Sequence, residues 1–221
     1  MTISLCGALV LVLSILVAAQ PSPVPVEEEP HHHVLLKNES VIVMRVKLLP
    51  GESTLFHTHS HDRVAIDLTD TTITRQKPGE PEGAPEPTKP GDVSASELNG
   101  PYTHRVHNAG TTDFEVLDVE LLQRPSKASG TAVVKVEAEN PSARVYKWTL
   151  APGASSAMHT HERPYLIVSA TPLVLKMTDP EGKSFTHEVK AGDFHWVDAK
   201  VTHTLANEGT TVGQIVEIEL K

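Results

Sequence analysis

Apolar residues recur at every second position through the best-patterned stretches of this chain. Phe114-Glu-Val-Leu-Asp-Val-Glu-Leu121 and Gln214-Ile-Val-Glu-Ile-Glu-Leu220 alternate, and the β-branched run from Val41 to Leu49 does so over part of its length. A period of two is that of a strand with one face turned inward. Shorter strands are expected over Leu55 to His59, Val64 to Leu68 and Thr71 to Arg75. A hairpin is expected from Leu173–Met177 to Phe185–Val189 around Asp179-Pro180-Glu181-Gly182. Five prolines and little apolar mass between Gln76 and Pro90 predict an exposed loop. Helical periodicity is nearly absent. Short strands separated by turn residues indicate an all-β sandwich or barrel.

The pattern is written twice. Asn38 to His59 aligns without a gap on Asn140 to His161. Each copy leads from a Pro-Gly turn, Pro50-Gly51 or Pro152-Gly153, across five residues to a His-Thr-His triplet. Further on, Gly91-Asp92 matches Gly192-Asp193, His104 matches His203, and Asn108 matches Asn207. A repeat of about 100 residues exceeds a solenoid unit and predicts two similar domains in tandem. The expected boundaries are 35–124 and 131–221, joined by a polar linker over 125–130.

Composition narrows the function. The 221 residues carry a net charge of −9 with no basic tract, which argues against nucleic acid. Cys6 is the single cysteine, so no disulfide framework exists. Ile3 to Ala19 is apolar apart from Ser4 and Ser14, and Val17-Ala18-Ala19-Gln20 offers small residues for cleavage. Residues 1–19 therefore read as a secretory signal, with an uncleaved membrane anchor as the alternative. Either places the folded part in a secreted or periplasmic setting. A Pro-rich, acidic and His-bearing linker is expected over 20–34, with His31-His32-His33 read as a solvated tether rather than an accessory metal-binding tract. Asn38-Glu39-Ser40 fits a glycosylation acceptor, whereas Asn140-Pro141-Ser142 is excluded by its proline.

The chemistry lies in the histidines. Residues i and i+2 of a strand share a face, so His57 with His59, and His159 with His161, can each aim two neutral imidazoles at one point. His104 and His203 are the candidate third ligands. No elbow-borne Ser-His-Asp order, phosphate-cradling glycine loop or CxxC pair is present.

Gly153-x5-His159-x-His161 followed by Gly192-x10-His203-x3-Asn207 resembles the cupin superfamily, and the duplication makes the chain similar to bicupins. Gly51, His57, His59, His104 and Asn108 keep most of the pattern in the first copy. The resemblance implies two tandem double-stranded β-helix (cupin, jelly-roll) barrels with metal sites at His57, His59, His104 and at His159, His161, His203. The glutamate expected after each His-x-His is missing: Arg63 or Val64, and Tyr165 or Leu166, stand in its place. Arg63 either faces solvent or faces an anion. Three neutral imidazoles would leave a divalent ion its full charge, favouring Fe, Ni, Cu or Zn over Mn and an anionic, chelating small-molecule substrate. Tyr165 is the candidate acid or orienting hydroxyl, or else a core aromatic. The expected activity is a metal-dependent oxidoreductase of dioxygenase type. The alternatives are an isomerase or lyase, or a non-catalytic binding or storage-like bicupin. A homodimer is compatible with the resemblance.

Overall fold

A computed structural model describes residues 22–125, 134–198 and 200–221. The apolar run of residues 1–19 and nearly all of the expected linker lie outside the described residues.

The first half contains β1 (Val24–Pro25), a single 3-10 turn (Val26–Glu28), β2 (His32–Lys37), β3 (Val41–Leu48), β4 (His57–His59), β5 (Asp62–Asp67) and β6 (Thr71–Gln76). It continues with β7 (Glu86–Thr88), β8 (Val93–Ser96), β9 (Tyr102–Asn108) and β10 (Phe114–Leu121). The second half repeats the plan with β11 (Ala138–Glu139), β12 (Ala143–Leu150), β13 (His159–His161), β14 (Tyr165–Ser169) and β15 (Leu173–Thr178). β16 (Ser184–Val189), β17 (Phe194–Val197), β18 (Val201–Asn207) and β19 (Gly213–Leu220) complete it. Each half folds as two facing sheets. They are β1-β4-β9-β6-β7 against β2-β3-β10-β5-β8, and β13-β18-β15-β16 against β11-β12-β19-β14-β17. These are the two tandem barrels the repeat predicts.

The repeated small residues have structural duties. Asn38 and Asn140 each accept two backbone N–H groups through the side-chain oxygen, from Ser40 and Val41 and from Ser142 and Ala143, and so turn the chain into β3 and β12. Asn108 and Asn207 donate to carbonyls on either side of the barrel, Leu48 and Thr112 in one, Leu150 and Thr211 in the other. Gly51 and Gly153 hold φ of +83° and +75°, which the turn before each His-x-His requires.

The strands β10 and β19 are buried on both faces. One face looks into its own barrel, where Val46, Leu48, Ile73, Phe114 and Val116, or Leu150, Tyr165, Ile167, Leu205 and Ile215, pack. The other face enters a core shared by both halves: Val41, Val43, Val64, Ile66, Leu117 and Val119 against Ala143, Val145, Leu166, Val168, Val216 and Ile218. At its edge Asp62 accepts from Arg124, from the Leu98 amide at 2.8 Å and from Ser142 Oγ at 2.7 Å.

Two expectations need correction. Residues 24–37 are no solvated tether: β1 pairs with β4, β2 pairs with β3, and His32 is buried. The reason is that β3 turns Ile42, Met44, Val46 and Leu48 to its inner face and recruits the preceding chain to cover its edge. The segment 76–90 is exposed over 77–87 as expected, but it includes β7, which pairs with β6 over Thr71–Ile73.

Candidate metal centre

The ladder of each barrel brings three histidines to one face. β4 pairs with β9 so that His57 stands opposite His104, and β13 pairs with β18 so that His159 stands opposite His203. The intervening threonines point outward and bond across the same ladder, Thr58 to Thr103 and Thr160 to Thr202, each at 2.8 Å. His59 and His161 return to the inner face two residues on. All six imidazoles are buried.

In the second barrel a carboxylate joins them. Glu217, inward on β19, lies 3.1 Å from His159 Nε2, 3.0 Å from His203 Nε2 and 3.2 Å from His161 Nε2. His159 Nε2 and His203 Nε2 are 3.0 Å apart. The four donors lie within 4.8 Å of one another. The donor set fits a metal ion. Two atoms each about 2.1 Å from one ion, at right angles, are roughly 3.0 Å apart, which is the spacing these atoms show. His159 Nδ1–H donates to the Ala157 carbonyl at 3.0 Å, which leaves the Nε2 lone pair free for a ligand bond. Trp148 Nε1–H donates to Glu217 at 2.7 Å and fixes the carboxylate.

The charges of this cluster compensate one another. Burial alone would raise the Glu217 pKa, but the three imidazoles outweigh it and hold the carboxyl well below its usual range. Burial likewise opposes the charge on His161, and Glu217 and Glu219 overcome it, raising His161 to about 9. The His161–Glu217 contact is a close approach of charges without hydrogen-bond alignment, since neither ring nitrogen of His161 has a hydrogen-bond partner. A proton on His161 thus offsets the charge of the Glu217 carboxylate.

The first barrel differs. His59 Nε2 and His104 Nε2 are again 3.0 Å apart, and His57, His59 and His104 lie within 4.8 Å of one another. His57 Nδ1–H donates to the Leu55 carbonyl at 3.0 Å, and His59 Nδ1 bonds Glu120 at 2.7 Å. The residue matching Glu217 is Asp118, one methylene shorter, and it is held by Arg63 Nη1 at 2.8 Å. Arg63 therefore faces the barrel rather than solvent. Burial lowers the pKa of His57 to about 3 and of His59 to about 4, and it lowers His104 further still. These three rings are neutral at any ordinary pH, as metal ligands must be.

The cavities above the clusters also diverge. The first, about 680 Å³, is lined by His32, Arg63, Asp67, Tyr102, His104 and Asp118. The second, about 500 Å³, has the apolar walls Leu175, Met177, Val197 and Ile215, with Tyr165 and His203 at its floor. Tyr165 is fully buried, stacks on His161 with ring centroids 4.0 Å apart, and its hydroxyl has no hydrogen-bond partner. Burial, reinforced by Glu217, pushes its pKa well above the usual phenol value, so the phenol keeps its proton.

The structure thus brings together all six histidines singled out in the sequence, with Tyr165 beside the second set. Nearby polar side chains lie outside the clusters. Glu162 points outward to Lys200, and His61 is half-exposed while touching Glu120. His107 sits within β9, bonded to Ser53. Sequence reasoning missed Glu217, Asp118 and Glu29. The signal for Glu217 was an acidic residue on the inward parity of Ile215 in the closing strand. The expectation of three neutral imidazoles with no carboxylate is corrected for the second barrel, and with it goes the ground for disfavouring Mn there.

No protein-family model matches the chain. It is 33% identical over 90 residues to the β-alanine degradation protein BauB of Pseudomonas aeruginosa, a match covering 41% of this chain and 94% of that protein. Among solved structures, AerE from Microcystis aeruginosa superposes with a TM-score of 0.59 at 14% identity, over 91% of this chain and 98% of AerE. A cupin 2 conserved barrel domain protein from Leptotrichia buccalis gives 0.52 at 14%, over 86% and 88%. Salicylate 1,2-dioxygenase from Pseudaminobacter salicylatoxidans gives 0.54 at 12%, over 85% and 75%. At such identities the structural likenesses are of fold.

Proposed function

The chain belongs to the cupin superfamily, as a bicupin, and on that premise we propose that it is a metal-dependent enzyme acting on a small molecule at its second barrel. The observation that carries the reading is the convergence of Glu217 on His159, His161 and His203 beneath an apolar cavity. Those four residues would hold a divalent transition metal such as Fe, Ni, Cu, Zn or Mn. When bound, such an ion polarises a chelating substrate oxygen and gives access to dioxygen chemistry.

The remaining work falls to the chain. Leu175, Met177, Val197 and Ile215 exclude water and bind the apolar body of the substrate. Trp148 keeps the Glu217 carboxylate from rotating. The Tyr165 hydroxyl, proton-bearing and without a partner, orients or protonates a substrate oxygen. The reaction class we favour is dioxygenation of a small chelating acid, enol or phenolic compound. Both oxygen atoms then enter the substrate and no external reductant is required. A lyase or isomerase is the second reading, favoured by the protonated Tyr165 phenol. We place His57, His59 and His104 as a second metal site of different character. We also place the folded part outside the cytoplasm on the strength of residues 1–19; N-terminal sequencing of protein recovered from a secretory host tests this.

Oxygen uptake by metal-loaded protein tests the activity. The panel should hold catechols, flavonols, β-diketones and, given the name of BauB, small amino and carboxylic acids. Consumption with one class supports dioxygenation. Product formation without oxygen uptake supports the second reading. Silence with every class, at full metal occupancy, contradicts both.

A further inference from the structure

Four imidazoles, not three, cluster in the first barrel. His32 is buried, and its ring centroid is 4.5 Å from that of His57 and 6.4 Å from that of His59. Its Nδ1 bonds Glu29 Oε2 at 2.6 Å, and both side chains are almost wholly inaccessible. Glu29 is itself pinned, accepting the Leu55 amide at 3.0 Å and the His31 amide at 2.9 Å. A carboxylate on Nδ1 is the arrangement that fixes a histidine with its Nε2 lone pair turned to a metal. His59 has the same arrangement with Glu120.

The second barrel shows what His32 replaces. There the ring against the first histidine is Trp148, 4.7 Å from His159. The residue matching Trp148 in the repeat is Val46, and β2 places His32 directly opposite Val46. The small valine opens the space that an indole fills in the other barrel, and His32 enters it. In the first barrel the carboxylate matching Glu217 is not free, because Arg63 holds Asp118.

We propose that His32 is the fourth ligand of the first metal centre, taking the place that Glu217 has in the second. The bicupin then carries two unlike centres: four imidazoles in the first barrel, three imidazoles and a carboxylate in the second. All-imidazole ligation favours Cu(II), Ni(II) or Zn(II). Closing the set requires the His32 ring to move toward His59, from whose ring its centroid stands 6.4 Å away. The inference rests on the reading of His57, His59 and His104 as a metal site.

The test uses the full chain with the second centre removed by His159→Ala and His161→Ala, loaded with Cu(II) alone. Electron paramagnetic resonance and competition titration then report on the first centre. The expected result is a four-nitrogen signal that becomes a three-nitrogen signal in His32→Ala, with affinity lower by 10- to 100-fold. Glu29→Gln leaves the ring in place but loosens it, and should lower affinity with a smaller spectral change. Should His32→Ala fail to fold, Glu29→Gln decides the matter. An unchanged spectrum and affinity in the folded variants overturn the role of His32 while leaving the three-histidine site intact. Failure of the parent to bind copper, or binding unaffected by His57→Ala, overturns the site itself and the inference with it.

Discussion

Arg63 on β5 and Asp118 on the neighbouring β10 meet at 2.8 Å, at the positions that Tyr165 and Glu217 hold in the second barrel. That one pair separates the two centres. Glu217 is free to join its histidines, whereas Asp118 is committed to a guanidinium and approaches His59 only at Nδ1, at 3.8 Å.

Removing Arg63 leaves a buried, uncompensated carboxylate. Arg63→Ala should therefore cost about 3 kcal/mol of stability in metal-free protein, lowering Tm by roughly 6–12 °C. Metal loading should restore part of this loss, since the freed carboxylate then faces a cation. Thermal denaturation with and without metal checks it. An unchanged Tm would mean that the pair contributes nothing net.

The two metal-free centres should respond oppositely to pH. His57 and His59 have folded pKa values near 3 and 4, against 6.5 when unfolded. Their neutral state is compatible with folding above pH 6.5, and stability is lost as pH falls. Between pH 6.5 and 5 the loss is roughly 2 kcal/mol per histidine. His161, raised to about 9, contributes stability that is complete below 6.5 and lost as pH rises through about 9. The depressed Glu217 contributes above the ordinary carboxylate pKa of 4.5, and its contribution is lost only below that. Amide exchange corrected for intrinsic rate should show β4 and β9 losing protection from pH 6.5 to 5 while β13 and β18 keep theirs. Above pH 8 the second pair should weaken. Parallel behaviour of both barrels would refute the assignment.

Tyr165→Phe deletes a buried hydroxyl that has no partner, so it should leave stability unchanged or raise it by about 1 kcal/mol. Metal content should not change. Turnover should drop 100-fold or more if the phenol moves a proton. A destabilised variant would show that the hydroxyl has a structural partner.

The shared core predicts that neither half is independent. Leu166 is fully buried between the barrels, and Leu166→Ala should cost about 2–5 kcal/mol. Residues 22–125 produced alone would expose Val41, Val43, Val64, Ile66 and Leu117 together, and should self-associate. Light scattering checks this; a stable, soluble monomer would contradict it.

Much of this was legible beforehand. Period-two alternation and the repeated Pro-Gly, His-x-His and His-x3-Asn spacings define the strands, the duplication and the six histidines, because each depends on local parity. What resisted reading depends on distance in the chain. Glu217 lies 56 residues beyond His161, and only barrel closure brings its carboxylate to the imidazoles. Glu29 and His32 sit in a stretch whose prolines and charges have the composition of a linker. Their burial follows from the edge of β3, which composition does not reveal.

Metal content of tag-free, full-length protein, measured by inductively coupled plasma mass spectrometry alongside Glu217→Ala and His159→Ala/His161→Ala, tests the four-donor centre most directly. The wild type should hold close to one ion in the second barrel beyond any held by the first. The double histidine variant should lose that ion, and Glu217→Ala should bind it at least 100-fold more weakly. Equal metal content and affinity in all three proteins would contradict the convergence of Glu217, His159, His161 and His203 on a single ion.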